Sequence, residues 1–284
     1  QLTGYSMGGY AAYKLGLQHP DLYAGAISLA GPPACGSGVD PDQGAPLFDH
    51  VRCRRDGATA PLAGNARWVP YRIGQGNLDE LVPFVAVERQ VQHFDELGLR
   101  HRFVRYPAED HMLFATQDRF RAVTAGLDRP RAVRNPGRVD LTWFPHLDRP
   151  ALGLRATGAY WVTGVRAHDR TAGALASVSA RSFARPDRVL RVVRTGPTAV
   201  TDPLPATVST LSWRRGERLE PRRLLTVRLR NVEEVRLDLR RAGLPCGTVG
   251  VRSDRPVRVV LVGLRSGDRT VVLPAGRSRV RARC

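Results

Sequence analysis

The feature that most narrows what this chain can fold into lies within its first twenty residues. Gly4-Tyr5-Ser6-Met7-Gly8 runs directly into MGGYAAYKLGLQ, residues 7–18, where small residues followed by Ala, Leu and Lys read as a helix. His19-Pro20 stops that helix, because the residue before a proline is pushed out of helical geometry. A serine in G-x-S-x-G between a strand and a helix needs a sharp turn that strains its backbone and exposes its hydroxyl. Flanking glycines let backbone and helix approach closely. Met7, next along, then offers its backbone N–H to developing negative charge, and the helix N-terminus adds a favourable field. Alone the pattern is weak, since glycine and serine are common.

The next hundred residues alternate between strand and helix signals. AGAISLA (24–30) is a short apolar run that suits a buried strand. A Gly/Pro-rich excursion runs from Gly31 to about Gly64. RWVPYRI (67–73) is a strand candidate weakened by Pro70. Residues 83–97 read as a helix with proline at the start and Gly98 after the end. HRFVRY (101–106) alternates as a strand, and residues 113–126 read as a further helix closed by Gly126. Strand and helix alternating with short connections predict a parallel sheet layered by helices.

A serine hydroxyl is a poor nucleophile until a histidine takes its proton, and that histidine needs an orienting carboxylate. Asp79 in GQGNLDELVP comes after the strand expected to end near Ile73, and His111 in PAEDHMLF after the strand ending near Tyr106. Reactive groups of open α/β sheets gather at the carboxyl ends of the strands. Glu109 and Asp110 are rival orienters, but a neighbouring residue reaches its own neighbour's ring poorly, which favours Asp79. Glu80 is a weaker alternative expected to be solvated, and Tyr5 lines the pocket or simply packs.

On GYSMGGYAAYKL, GNLDELVP and EDHMLF, residues 1–127 resemble the C-terminal part of an α/β-hydrolase of the prolyl oligopeptidase-like and secreted-esterase kind. The resemblance implies a serine hydrolase cleaving an ester or a peptide bond through an acyl-enzyme. Ser6 would be the nucleophile, His111 the base and then the acid, Asp79 the orienter, and Met7 one oxyanion donor. Such enzymes carry several strands before the nucleophile strand, and the loop that gives the second oxyanion donor is normally among them. Against that pattern the sequence reads as a fragment, and little or no activity is expected of this chain alone.

After Pro130 the character changes. Residues 131–150 are expected to be a linker or interface segment, and 151–284 a basic β-sandwich-like domain with strands near 159–165, 175–179, 188–193, 207–212, 224–229, 234–239, 247–251, 256–262 and 269–273. The fold class expected is therefore α/β, a partial α/β-hydrolase sheet over 1–130 followed by that β domain. Residues 1–130 hold 13 basic and 14 acidic side chains (net −1), and 131–284 hold 31 and 12 (net +19). Lys14 is the only lysine, so the excess is arginine, alternating with apolar residues as on a solvated sheet face. That solvated face is one reading of the basic half. The other is contact with an anionic polymer or cell surface, which would make the protein an adhesion or polymer-binding protein rather than an enzyme.

Four cysteines, Cys35, Cys53, Cys246 and Cys284, fall two to each half. Pairs Cys35–Cys53 and Cys246–Cys284 would imply an oxidising compartment and a secreted parent protein; the other reading is four thiols. No cysteine or histidine spacing suits zinc, and no cofactor, specific nucleic acid or membrane span is expected. Trp68 and Phe84 are expected in the core, and Trp143 and Trp161 at a domain contact or in a sandwich core.

Overall fold

The computed structural model describes residues 1–34, 57–112, 117–127, 131–153, 158–185 and 187–282. Strand β1 (Leu2–Tyr5) turns at Ser6 into α1 (Met7–Gln18). Gly9, Ala12, Tyr13, Gly16 and Leu17 are buried at helical spacing, so one face of α1 meets the sheet. That approach is close: a Cβ on Gly16 would lie 2.4 Å from the Tyr71 hydroxyl. Strand β2 (Ala26–Leu29) is buried at all four positions, as a strand covered on both faces should be. A 3₁₀ stretch, Ala60–Trp68, precedes β3 (Tyr71–Gly76). The strand expected from residue 67 thus starts only at Tyr71, because Pro70 has no N–H for the ladder, although its carbonyl accepts from Ala26 N–H.

Helix α2 (Phe84–Glu96) starts after Pro83, and Gly98 comes after its end at φ +64°. Strand β4 (His101–Tyr106) has the bounds expected. Within residues 117–127 the helix expected there shrinks to a short α3, Arg121–Thr124, because Arg119 and Phe120 take positive φ and break it. Trp68 and Phe84 are half-buried rather than core: Trp68 packs edge-on to Trp213, and Phe84 stacks on Phe103.

Strands β5 (Arg138–Trp143), β6 (Gly158–Ala159), β7 (Val162–Ala167) and β8 (Ala176–Ser182) come next. Two long strands, β9 (Asp187–Val200) and β10 (Ala206–Leu219), precede β11 (Leu224–Arg230), β12 (Val232–Asp238), β13 (Gly247–Ser253), β14 (Val257–Val262), β15 (Arg269–Leu273) and β16 (Gly276–Ala282). The chain is mixed α/β and mostly sheet. No described helix is long and apolar enough to cross a membrane.

The chain divides into two compact units, residues 1–132 with 191–214, and residues 133–190 with 215–284. The first holds a six-stranded sheet in the order β1-β2-β3-β4-β10-β9. Strands β1 to β4 are parallel, and β10 runs antiparallel to β4 with Thr207 opposite Arg105 and Leu211 opposite His101. This corrects the expectation that residues 151–284 form one β domain. Strand β10 covers the open edge of β4 and sends Ala206 and Val208 into a core shared with Ile27, Leu29, Val104, Tyr106 and Val123.

The second unit holds two five-stranded sheets, β16-β13-β11-β8-β5 and β15-β14-β12-β7-β6. The linker expected over 131–150 is also corrected. RVDLTW alternates, buries Val139, Leu141 and Trp143, and pairs antiparallel with β8; the prolines around it disguise a strand. Strand β16 escapes the sequence pattern because arginine holds its outward positions, while Val280 and Ala282 are buried. Trp143 and Trp161 are both buried in this unit, the Trp161 indole N–H donating to the Pro136 carbonyl at 2.7 Å. Cys246 is buried and disulfide-bonded. Cys35, Cys53 and Cys284 lie outside the described residues.

Candidate active site

Ser6 is built by the turn between β1 and α1. Its backbone sits at φ 54° and ψ −119°, a conformation that costs a non-glycine residue about 1–3 kcal/mol. Backbone bonds hold it there. Ser6 N–H donates to the Leu29 carbonyl at 2.8 Å, and the Ser6 carbonyl accepts from Gly9 N–H at 2.8 Å and Tyr10 N–H at 3.1 Å. A Cβ on Gly4 would stand 1.9 Å from the Gly8 carbonyl oxygen, so Gly4 is required. Gly8, by contrast, has open space where its Cβ would be. The second demanding glycine is Gly9, whose Cβ would meet the Gly31 Cα at 2.6 Å. The sequence motif points at Gly8; the packing constraint falls one residue later.

The loops after β3 and β4 carry the other two side chains. His111 Nε2 lies 3.0 Å from Ser6 Oγ, and His111 Nδ1 lies 2.9 Å from each carboxylate oxygen of Asp79. With Nδ1–H donating to the carboxylate, Nε2 is left as the acceptor facing the hydroxyl. His111 is 2% exposed and Asp79 6%. Asp79 is held from several sides. Its Oδ1 accepts Leu81 N–H at 3.0 Å and Val82 N–H at 2.7 Å, and its Oδ2 accepts the Gln75 side-chain amide at 2.8 Å. The same Gln75 nitrogen donates to the Val82 carbonyl at 2.8 Å, fixing both ends of the loop.

The two loops are also tied together. Leu78 N–H donates to the Glu109 carbonyl at 3.0 Å, and Asn77 N–H to the Tyr106 carbonyl at 2.9 Å. Tyr5 reaches across from β1, its hydroxyl donating to the His111 carbonyl at 2.6 Å and its ring centroid 5.2 Å from the imidazole. Tyr5 therefore braces His111, a contact more specific than packing alone. Burial raises the Tyr5 hydroxyl pKa, and the Asp79, Asp110 and Glu80 carboxylates raise it further. The hydrogen bond that His111 donates to Asp79 raises the His111 pKa above the usual imidazole value, against the opposing effect of burial, and the Asp79, Glu80 and Asp110 charges add to it.

Of the residues singled out in the sequence, Ser6, Asp79, His111 and Tyr5 come together. Met7 is the first residue of α1, where helix N–H groups lack intrahelical partners, and its side chain is 62% exposed. Asp110 is turned to the Met112 N–H at 2.8 Å. Glu109 contributes its backbone carbonyl. Glu80 is exposed, with Oε2 accepting the His111 N–H at 3.4 Å. Gln75 is the residue of this site that sequence reasoning passes over, although an amide between two glycines at a strand end, four residues before Asp79, is a readable signal. Among the described residues, no group of three or more His, Cys, Asp or Glu could hold a metal ion. Comparison with protein-family models and with curated proteins finds no match to this chain.

Proposed function

We propose that the first unit is a serine hydrolase of the α/β-hydrolase kind that cleaves an ester or peptide bond through an acyl-enzyme. One observation carries this reading: the unbroken hydrogen-bond chain from Ser6 Oγ through His111 to Asp79, within a buried, braced loop pair. Nε2 takes the Ser6 proton as Oγ attacks the acyl carbon. The resulting imidazolium is stabilised by Asp79, which keeps its own charge. The Met7 N–H faces the oxyanion, and Nε2–H then protonates the leaving group. Water, deprotonated by the same imidazole, releases the acyl group and restores Ser6. Tyr5 steadies His111 through its hydrogen bond to the His111 carbonyl. Against the expectation of a weak or inactive fragment, we propose activity in this chain itself, because Ser6, His111 and Asp79 are hydrogen-bonded and braced within it; the β-rich second unit is proposed as an accessory, and the parent protein as secreted.

The test is covalent labelling with a fluorophosphonate probe, with the modified residue read by peptide mass spectrometry. Stoichiometric phosphonylation at Ser6 is expected, absent in Ser6→Ala and slowed by about 10³-fold or more in His111→Ala. Failure of the folded chain to label at Ser6, or equal labelling of His111→Ala, would overturn the reading.

A further inference from the structure

The second unit carries a trough of about 890 Å³ on the outer face of the sheet β16-β13-β11-β8-β5. Its walls are arginines. Arg228 on β11 stands opposite Arg252 on β13, and Arg252 opposite Arg277 on β16, so three guanidinium-bearing positions form one row across neighbouring strands. Strand spacing places them about 4.8 Å apart at the backbone. All three side chains are exposed. Arg279, at the end of the neighbouring row, and Arg222, just before β11, line the trough outside that row.

Like charges directly opposite each other in a sheet are destabilising. Among the described residues, no carboxylate lies within ion-pair distance of Arg228, Arg252 or Arg277. Asp140, at the far end of the same row, is taken by Arg138 and the Ser179 hydroxyl. Asp254, two residues after Arg252, turns both oxygens to the Asn231 N–H.

The floor gives a second, independent sign. Gly250 lies in mid-β13 between Thr226 and Arg279. Glycine in a strand interior weakens it, and marks places where something approaches the backbone closely. Here the protein's own structure does not demand glycine: φ is ordinary, and a Cβ would meet only the Leu225 carbonyl, at 3.8 Å. The missing side chain opens the floor between two arginine walls.

We infer that this trough binds a linear acidic polysaccharide, with sulfate or carboxylate groups seated along the Arg228–Arg252–Arg277 row and the sugar backbone over Gly250. A polynucleotide suits it less. Unpaired bases need exposed rings to stack on. No aromatic ring is among the residues lining the trough, and Phe183, next to the lining residue Arg222, is covered by the guanidiniums of Arg181 and Arg222 at 4.7 and 4.8 Å. The trough is built within the second unit alone, so its ligand is independent of the hydrolase reading of the first.

The experiment is titration calorimetry of the full chain at several salt concentrations with a heparin decasaccharide and, separately, an oligogalacturonate. These two arms distinguish sulfate from carboxylate recognition. The triple variant Arg228→Gln, Arg252→Gln, Arg277→Gln should bind the preferred sugar about 10²-fold more weakly, with a salt slope shallower by about two. A control of equal charge loss, Arg240→Gln, Arg255→Gln, Arg265→Gln, should weaken it less than about threefold. Gly250→Leu, which leaves the charge unchanged, should weaken it about tenfold by filling the floor. Equal weakening by the two triple variants would overturn the proposal. So would unchanged binding by a folded Gly250→Leu protein, or tighter binding of an oligothymidylate of the same charge that is lost in the same variants. If Gly250→Leu does not fold, the comparison of the two triples decides alone.

Discussion

Gly76 and Glu109 meet backbone to backbone: a Cβ on Gly76 would lie 2.3 Å from the Glu109 carbonyl oxygen. Gly76 closes β3 and Glu109 belongs to the loop after β4, so this contact sets how near the Asp79 loop comes to the His111 loop. Any side chain at 76 must push the loops apart. Gly76→Ala is therefore expected to lower kcat for an activated ester by about 10²-fold, the loss a misplacement near 1 Å produces, with a smaller change in KM. The unfolding midpoint tells whether the effect is local. Unaltered kinetics in Gly76→Ala would mean that the loops are not positioned by this contact.

The direction of the His111 shift fixes the pH dependence. In the proposed mechanism the base is neutral imidazole, and the hydrogen bond it donates to Asp79 raises the imidazole pKa from 6.5. Activity should fall as pH drops through that raised value, so the acidic limb of kcat/KM lies above pH 6.5. Asp79→Asn removes the largest cause of the shift and should move the limb downward while lowering kcat by up to about 10⁴-fold. The stability sign is the opposite one. A raised folded-state pKa favours the folded chain below the unfolded value, and this contribution is lost as pH rises through the folded value. A limb that stays in place in Asp79→Asn would break the link between Asp79 and the base.

In the proposed mechanism Gln75 acts through Asp79 as a positioning residue. Gln75→Leu keeps the volume but leaves Asp79 Oδ2 and the Val82 carbonyl without the amide donor. The loss of a hydrogen bond to a buried charged group costs about 1.5–3 kcal/mol, which bounds the destabilisation expected. A purely structural role would change the unfolding midpoint alone. A positioning role should also lower kcat and displace the acidic limb of the pH profile, and Gln75→Glu should fail to rescue either, because it sets a second carboxylate against Asp79. Steady-state kinetics and denaturant titration on the same preparations separate the two.

Much of the first unit is legible in the sequence because its signals are local. Helix α1 and strand β4 keep the bounds that Pro20 and the alternation of HRFVRY imply. Ser6, Asp79 and His111 are legible because each lies just past a strand end, and strand ends in a parallel sheet converge on one edge. The features that escape are set by distant partners. Nothing around residues 206–211 says that this strand pairs with β4, because apolar Ala206, Val208 and Leu211 among polar neighbours would suit either unit. Strand β5 hides among prolines, and β16 behind outward arginines. The motif also misdirects in detail. G-x-S-x-G marks Gly4 and Gly8, yet the steric demand is on Gly4 and Gly9, and only three-dimensional contact with Gly31 reveals the second.

That difference makes a sharp prediction. Gly8→Ala adds a methyl group into open space and, inside a helix, replaces glycine with the better helix former, a gain of up to about 1 kcal/mol. The folded chain should keep its labelling rate at Ser6 and unfold at a slightly higher denaturant concentration. Gly9→Ala drives a methyl group against Gly31 Cα at 2.6 Å and against the Leu29 carbonyl and Ser28 hydroxyl at 3.0 Å. The Leu29 carbonyl is the acceptor for Ser6 N–H, so relief of this clash must shift the turn that strains Ser6. Overpacking of this kind costs about 1–3 kcal/mol, and Ser6 labelling should slow along with it. Two adjacent glycines in one helix turn would thus respond to the same substitution with opposite signs. Equal destabilisation by both would place the constraint in the motif rather than in the packing of α1 against β2 and Gly31.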